Sequence, residues 1–470
     1  MLATAGGVLG WLTSGWTANA LLSIAGEQPR QVEMDPAVFA FCAAVTALVG
    51  VLSGVPPAWS AARASVTGAL KTGAPQLATR RPTGRAVLVA AQIALSLLLL
   101  VAAGLFVRTL QNLRHAPFGF ETERLLVVTM NPAYSGYTRE RAGVFFEVVT
   151  ERVRALPGVD AAALAVMPLL GNSDWGGALR IDTGRLFDPG PRRNAVAPAY
   201  FQTVGIPLRE GREFTDADRA GAPPVAIVNE SFVRAYLDGG PALGRRIAVG
   251  APAGFPGFTV VGVTPDTRVS RVREDTTPIW YMPRLQLAPG WNLTPQTLHV
   301  RTVGDPASRL AVVRQAIADI DSSVTIMRAS TMTDQIEDHL EIERLLATLG
   351  IVFGLAAALL ASLGLYGVVA YATSARTREI GIRMALGAEA SGILRLFLRQ
   401  TAKVVAGGVA IGIVLVMLTV RYLRSVLYGV DPLDWSTVAL ASVMVIIVTG
   451  VAAFLPARRA TRISPVSALQ

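Results

Sequence analysis

Four stretches of this sequence carry residue types whose spacing could do chemistry. The first, "GNSDWGG" at Gly171–Gly177, sets Ser173 two residues after a glycine, as a nucleophile elbow G-x-S-x-G does. A serine held that way would attack a carbonyl with the help of an adjacent base. Here Trp175 replaces the second glycine, no strand feeds directly into the stretch, and Pro168 interrupts its approach, so a surface turn is the better reading. The second, "REGREFTDADRAG", gathers Glu210, Glu213, Asp216 and Asp218, which suggests paired carboxylates or Ca²⁺ ligation. Their spacing misses the D-x-[DN]-x-[DN]-G calcium loop, and a solvated turn into the strand "VAIVNE" explains them. Third, the histidines His115, His299 and His339 are scattered without ligand-like spacing. His299, in "TLHVRT", alternates with Leu298 and Val300 as a strand residue that faces solvent or meets a satisfied partner. None of these three makes an active site.

The fourth stretch, "ARTREIGIRMALGAEA" at Ala375–Ala390, offers recognition rather than bond-making. Glu379 and Arg383 stand at i and i+4 with the acid N-terminal, the favoured order on a helix. Ser374 or Thr377 supplies an N-cap, and Ile380, Met384 and Ala388 form one apolar strip. Gly381 and Gly387 allow close approach, or a helix end at Gly387. A short amphipathic helix follows. Its arginines would gain about 1 kcal/mol each from anionic headgroups, yet lipid contact alone calls for neither the acid nor the two glycines.

The elements around this peptide are membrane spans. Of the 470 residues, 52% are hydrophobic and only 16% charged, with a mean hydropathy of +0.45. A soluble domain averages about 25% charged. Runs long enough to cross the hydrocarbon core occur at Leu2–Gly26, Pro36–Ala62, Ala86–Val107, Leu345–Ala375, Val404–Val420 and Trp435–Ala457. The first is amphipathic and the fifth is short. Basic residues then give orientation. Arg63, Lys71, Arg80, Arg81 and Arg85 lie in one connection, Arg376 to Lys403 around another, and Arg458, Arg459 and Arg462 in the tail. Six alternating spans put all three segments on one side. By contrast, 26 of the 33 acids lie between His115 and Arg344. The net charge of +10 is therefore a topology signal, and no nucleic-acid partner is expected. The single cysteine, Cys42, excludes an intrachain disulfide.

Residues between the third and fourth spans have globular chemistry. "RLLVVTM" and "FTVVGVT" read as buried strands. "TRERAGVFFEVVTERVRALPGV" reads as a helix with Val144, Phe145, Val148, Val149, Val153 and Leu156 on its inner face, stopped by Pro157-Gly158. "DPASRLAVVRQAIADIDSSV" repeats the pattern, with Leu310, Val313, Ile317 and Ile320 inward. Such alternation predicts α+β layers in two subdomains.

The sequence also repeats itself. "PAWSAARASVTGAL" (Pro57–Leu70) and "PARRATRISPVSAL" (Pro456–Leu469) agree at seven of fourteen positions. "MDP" at Met34 matches "VDP" at Val430, and "AGGV" at Ala5 matches "AGGV" at Ala406. Spans one and two thus repeat spans five and six. The expectation is a chain that forms the C-terminal part of a longer duplicated protein, rather than a trimmed natural form.

The order of span, outer domain and three further spans, with "TREIGIRMALGA" between the second and third of these, resembles the FtsX/MacB family of ABC transporter permeases. The resemblance covers Gly84–Gln470 and part of Met1–Leu70. It rests on the core Glu379–Ala388, on Tyr200–Ile247, which looks like the MacB periplasmic core, and on the tail Pro456–Leu469. The duplication resembles that of acidobacterial-type orphan permeases.

The implied architecture is a polytopic α-helical membrane protein with about six transmembrane helices and one large α+β extracytoplasmic domain of two subdomains, MacB periplasmic core-like. Two spans at 1–62, the remnant of a first FtsX-like unit, precede a basic linker at 63–85 and a span at 86–110. The outer domain occupies 111–344, a span 345–372, and a cytoplasmic loop with its coupling helix 373–399. Two spans at 400–457 and a basic tail at 458–470 complete the chain.

The resemblance further implies a bacterial inner-membrane location with both termini cytoplasmic. The coupling helix would comprise Arg376, Arg378, Glu379, Ile380, Gly381, Ile382, Arg383, Met384, Ala385, Leu386 and Gly387, docking on a cytoplasmic ABC ATPase. No Walker A sequence occurs, so ATP and Mg would be bound by that partner, with no cofactor or metal in this chain. Other implied partners are a second copy or second permease unit, membrane lipid and a periplasmic protein. The expected function is to convert ATP hydrolysis into mechanical work on the outer domain, for export or efflux of an envelope-side substrate. The alternative is a membrane-anchored receptor or scaffold that regulates a cell-wall or envelope partner without an ATPase.

Overall fold

A computed structural model describes residues 4, 6–8, 10, 36–37, 39–47, 50–51, 83–171, 175–249, 257–274, 276–287, 294–374, 382, 389–423, 427–431 and 433–460. In chain order its first elements are α1 (Thr83–Arg114), β1 (Leu125–Asn131), α2 (Arg139–Arg154), β2 (Val159–Ala165), β3 (Leu179–Ile181), β4 (Leu186–Phe187) and β5 (Arg192–Val196). There follow α3 (Tyr200–Val204), β6 (Glu210–Gly211), β7 (Val225–Asn229), α4 (Glu230–Tyr236), β8 (Arg246–Val249), β9 (Phe258–Thr264) and β10 (Ile279–Pro283). The last are β11 (Gln296–Thr302), α5 (Ala307–Ile320), β12 (Thr325–Thr331), α6 (Met332–His339), α7 (Glu341–Ser374), α8 (Ala390–Leu423) and α9 (Trp435–Ala460). These fall into two units, one of Met1–Asn112 with Glu341–Gln470 and one of Leu113–Leu340.

In the first unit, α1, α7, α8 and α9 are long and apolar enough to cross a membrane. That makes four such helices among the described residues where six were expected. The spans expected at Leu2–Gly26 and Pro36–Ala62 lie largely outside them, as do Pro57–Leu70 and, apart from Pro456–Ala460, its matching stretch Pro456–Leu469. The short fifth span proves to be part of a 34-residue helix that begins at Ala390. Glycines set how closely these helices meet. A Cβ added to Gly408 would lie 2.8 Å from Ile93, and one on Gly412 2.9 Å from Leu97. On Gly350 it would lie 3.0 Å from Ala103, and on Gly104 2.6 Å from Thr437. So α7, α8 and α9 each approach α1 at a position with no side chain. Close backbone approach is how helices gain contact where no hydrophobic drive separates protein from lipid. A polar latch fastens one end of α1 to the α8–α9 connection. Arg108 pairs with Asp434, Asn112 Nδ2 donates to Gly429 O at 2.7 Å, and Tyr428 N donates to Thr109 Oγ1 at 3.4 Å.

The second unit is built on one mixed twelve-stranded sheet in the order β12-β1-β11-β2-β5-β10-β7-β9-β8-β3-β4, with β6 added on β9. Two hydrophobic cores sit along it. In one, Leu126, Val128, Leu164, Leu298 and Val300 meet Phe145, Phe146 and Val149 of α2, and Val313 and Ile317 of α5. In the other, Ala226, Val228, Val260, Trp280 and Met282 meet Phe232 of α4. The expected two subdomains are thus two lobes of a continuous sheet. Their junction is narrow: β2 and β5 share the single register pair Ala165 and Val196. Backbone bonds from Val166 N to Ala195 O (2.9 Å) and from Ala197 N to Leu164 O (2.8 Å) flank it.

The face of α5 is as expected, but that of α2 is rotated. Val144 and Val148 are 59% and 45% exposed, while Ala142, Phe146 and Thr150 are buried beside Phe145, Val149 and Val153. Thr150 can bury because its hydroxyl donates back to Phe146 O at 2.7 Å, which leaves its methyl to pack. Thr138 caps this helix, accepting from Arg141 N.

The chain enters and leaves this unit at one place. The start of β1 lies opposite the end of β12, with Leu126 paired to Thr331. An ion pair from Arg114 Nη2 to Glu337 Oε2, at 2.6 Å, joins the two passages.

Candidate functional site

The charged peptide expected to dock on an ATPase lies outside the described residues at Arg376, Arg378, Glu379, Ile380, Gly381, Arg383, Met384, Ala385, Leu386 and Gly387. Ile382 is described, and it is helical and 43% exposed. The ends of the peptide are anchored in the helix bundle. Val369 near the end of α7, Ile393 and Phe397 near the start of α8, and Ala453 and Ala457 of α9 belong to one buried cluster. Arg459 reaches back to the Tyr366 hydroxyl at 3.1 Å. At the start of α8 the Glu389 carbonyl accepts from Gly392 N at 3.0 Å, and Ser391 Oγ donates to the Glu389 carboxylate at 2.9 Å. The neighbouring ends of α7, α8 and α9 are therefore packed together.

In the outer unit, residues read as non-catalytic have structural partners. Asp218 takes two hydrogen bonds from the Arg212 guanidinium, at 2.7 and 2.9 Å, and a third from Thr215 N at 2.8 Å. Arg212 holds the Asp218 carboxyl below the usual range. Glu213 shifts the opposite way through burial. His299, left open between solvent and a partner, is fully buried, and its Nε2 accepts from Leu169 N at 3.4 Å. Burial pushes its pKa down to about 3. Of "GNSDWGG", residues 172–174 lie outside the described residues. Among the described residues no group of His, Cys, Asp and Glu could hold a metal ion.

Sequence reasoning missed the junction of the two lobes. The segment after β2, Val166–Gly171, crosses it as a strap held by side chains from three elements. Asn194 of β5 accepts from Met167 N at 2.9 Å and donates to Met167 O at 3.0 Å, so a side-chain amide extends the ladder. His299 of β11 accepts from Leu169 N, and Gln335 of α6 donates to Leu169 O and Leu170 O at 2.7 and 3.0 Å. Leu170 N donates to Val269 O at 2.6 Å. These bonds keep Leu170 at φ 52°, a left-handed conformation that costs a non-glycine residue about 1–3 kcal/mol. Asn194, His299 and Gln335 are all buried. His299 alone carries a sequence signal, an ionisable ring between Leu298 and Val300 in "TLHVRT".

Beside the strap lies a cleft of about 20 Å³, room for one water-sized group, lined among others by Met167, Trp175, Arg192, Arg193, Asn194 and Ser270. The Arg193 guanidinium stacks over the Trp175 ring at 4.7 Å. Arg192 pairs with Glu274.

Comparison with known proteins places both units. The MacB-like periplasmic core domain family matches residues 86–329, and the FtsX-like permease C-terminal family matches 351–465. The "Probable export ATP-binding/permease protein MacB" of Pseudomonas entomophila is 30% identical over 303 residues, 61% of this chain and 43% of that protein. The "Macrolide export ATP-binding/permease protein MacB" of Salmonella typhimurium is 28% identical over 309 residues, 62% of this chain and 45% of that protein. This chain thus spans less than half the length of these relatives. Among solved structures, the periplasmic region of MacB from Actinobacillus actinomycetemcomitans aligns with a TM-score of 0.34 and 16% identity, covering 49% of this chain and 98% of that one.

Proposed function

Because the chain belongs to the MacB/FtsX-like family of ABC transporter permeases, we propose that it passes the work of a separate cytoplasmic ATPase to an outer domain that moves an envelope-side substrate outward. One observation carries this reading. The outer unit Leu113–Leu340 is inserted between α1 and α7, and both helices belong to the bundle whose ends anchor the charged peptide. Movement delivered to residues 376–387 therefore has a covalent route through α7 to one connection of the outer unit and a route through packing against α1 to the other. The chain itself would be non-catalytic, with ATP and Mg held by the ATPase. Residues 376–387 would lie on the cytoplasmic side of the inner membrane with the N- and C-termini. The functional assembly would be a homodimer or a pairing with a second permease unit.

The test begins with photocrosslinkers placed at positions 376–388 in native membranes. A specific ABC ATPase adduct is expected, and its absence would favour the receptor or scaffold reading. With that ATPase and the chain reconstituted together, Glu379→Lys or Gly387→Trp should leave membrane insertion intact while abolishing stimulated hydrolysis. Undiminished stimulation in both variants would remove the coupling role from this peptide.

A further inference from the structure

Among the described residues, the lobe junction holds a cation without an acidic partner. Arg193 is half-buried, and its guanidinium makes no ion pair or hydrogen bond among the described residues, with Nε sealed from solvent. Among the described residues the cleft wall supplies no acid: its lining carries two arginines and no carboxylate. The acid just behind it, Glu274, is already engaged. One of its oxygens pairs with Arg192 and accepts from Thr277 Oγ1 at 2.8 Å. The other accepts from Ser270 N and Arg271 N at 3.3 and 3.2 Å.

The unpaired side chain is also held in place. Arg193 N donates to Trp175 O at 2.9 Å while the guanidinium lies over that residue's ring, so Trp175 is fixed at both backbone and ring. Neighbouring Asn194 spends both ends of its amide on Met167. Burial works against the Arg193 charge and lowers its pKa. With Nε sealed and no acid beside it among the described residues, the remaining N–H groups of the guanidinium are open to an anion.

We propose that this cleft binds the carboxylate of an anionic ligand, with Arg193 as its bidentate partner and Trp175 as the aromatic wall. A carboxylate offers two oxygens in the plane of the guanidinium fork. The cleft has room for about one water-sized group, so the edge of a planar anion enters while the rest of the ligand stays outside. The cleft also adjoins the segment by which the chain enters the outer unit. Val269 and Ser270 line it, and in the same loop Arg268 N donates to Phe118 O at 3.0 Å, on the segment that follows α1. The assignment does not rest on the export reading, since it needs only the outer unit.

The experiment uses the full chain in lipid nanodiscs, labelled with 5-fluorotryptophan at its seven tryptophans. The fluorine resonance lost in Trp175→Phe belongs to Trp175. Acetate, added as the carboxylate probe, should move that resonance along a saturating curve, and chloride at equal ionic strength should not. In Arg193→Gln the affinity for acetate should fall about tenfold or more, as expected for losing hydrogen bonds to a charged group. Trp280, 1% exposed in the second core, serves as the fold control. If its resonance shifts in Arg193→Gln, Arg193→Lys replaces that variant, and it should bind acetate more weakly than the native chain. A linear response, an equal response to chloride, or unchanged affinity in the folded variant would overturn the proposal. Saturation by inorganic phosphate at lower concentration than acetate would overturn the carboxylate assignment.

Discussion

His299 shows how a titratable residue becomes a structural one. It is kept neutral in a central strand, where its Nε2 accepts from the strap at Leu169 N. In the unfolded chain a histidine takes up a proton near pH 6.5, but in the fold His299 does so only near pH 3. Between these values the unfolded state binds more protons. The stability it contributes is fully present above pH 6.5 and declines on acidification, by at most about 1.4 kcal/mol per pH unit. His299→Gln should therefore flatten the fall in Tm between pH 6.5 and pH 4.5. Equal slopes for the native and variant chains would remove His299 as the source.

For the elements, glycine placement on α8 makes the sharpest claim. Gly412→Leu drives a side chain toward Leu97 and the Ala94 backbone, where even a Cβ would lie 2.9 and 3.2 Å away. Overpacking of this kind costs about 1–3 kcal/mol. The bundle should lose that much stability to denaturant titration in detergent, whereas Gly407→Leu, at a position with open space, should change little. The spans at α1, α7 and α9 were legible because uninterrupted apolar length is a one-dimensional signal. The N-terminal extension of α8 was not, since Arg395, Arg399 and Lys403 interrupt apolarity without interrupting the helix. The inner face of α2 was misjudged for a related reason: Thr150 reads as polar until its hydroxyl is seen to bond within its own helix. The junction cleft was illegible because Trp175 and Arg193 meet through strand order, not spacing.

Over the whole molecule, the chain enters and leaves the outer unit beside a single two-strand ladder. β1 and β12 are antiparallel neighbours, and the two connections emerge from the same end of their ladder. A force that parts Leu113 from Leu340 therefore loads this ladder as a zipper, one bond at a time. The Arg114–Glu337 pair is the first tooth. Force applied instead at Asn131 and Thr331 would act on opposite ends of the ladder and shear all its bonds together. With Cys42→Ser as background, cysteine pairs at these positions give the two tether geometries for an optical trap. The first rupture should come at clearly lower force from the Leu113–Leu340 pair, and lower still in Glu337→Gln. Equal rupture forces would show that the ladder does not bear the load. A lever with this attachment withstands being carried but not being pried, so its two mooring points must travel as one.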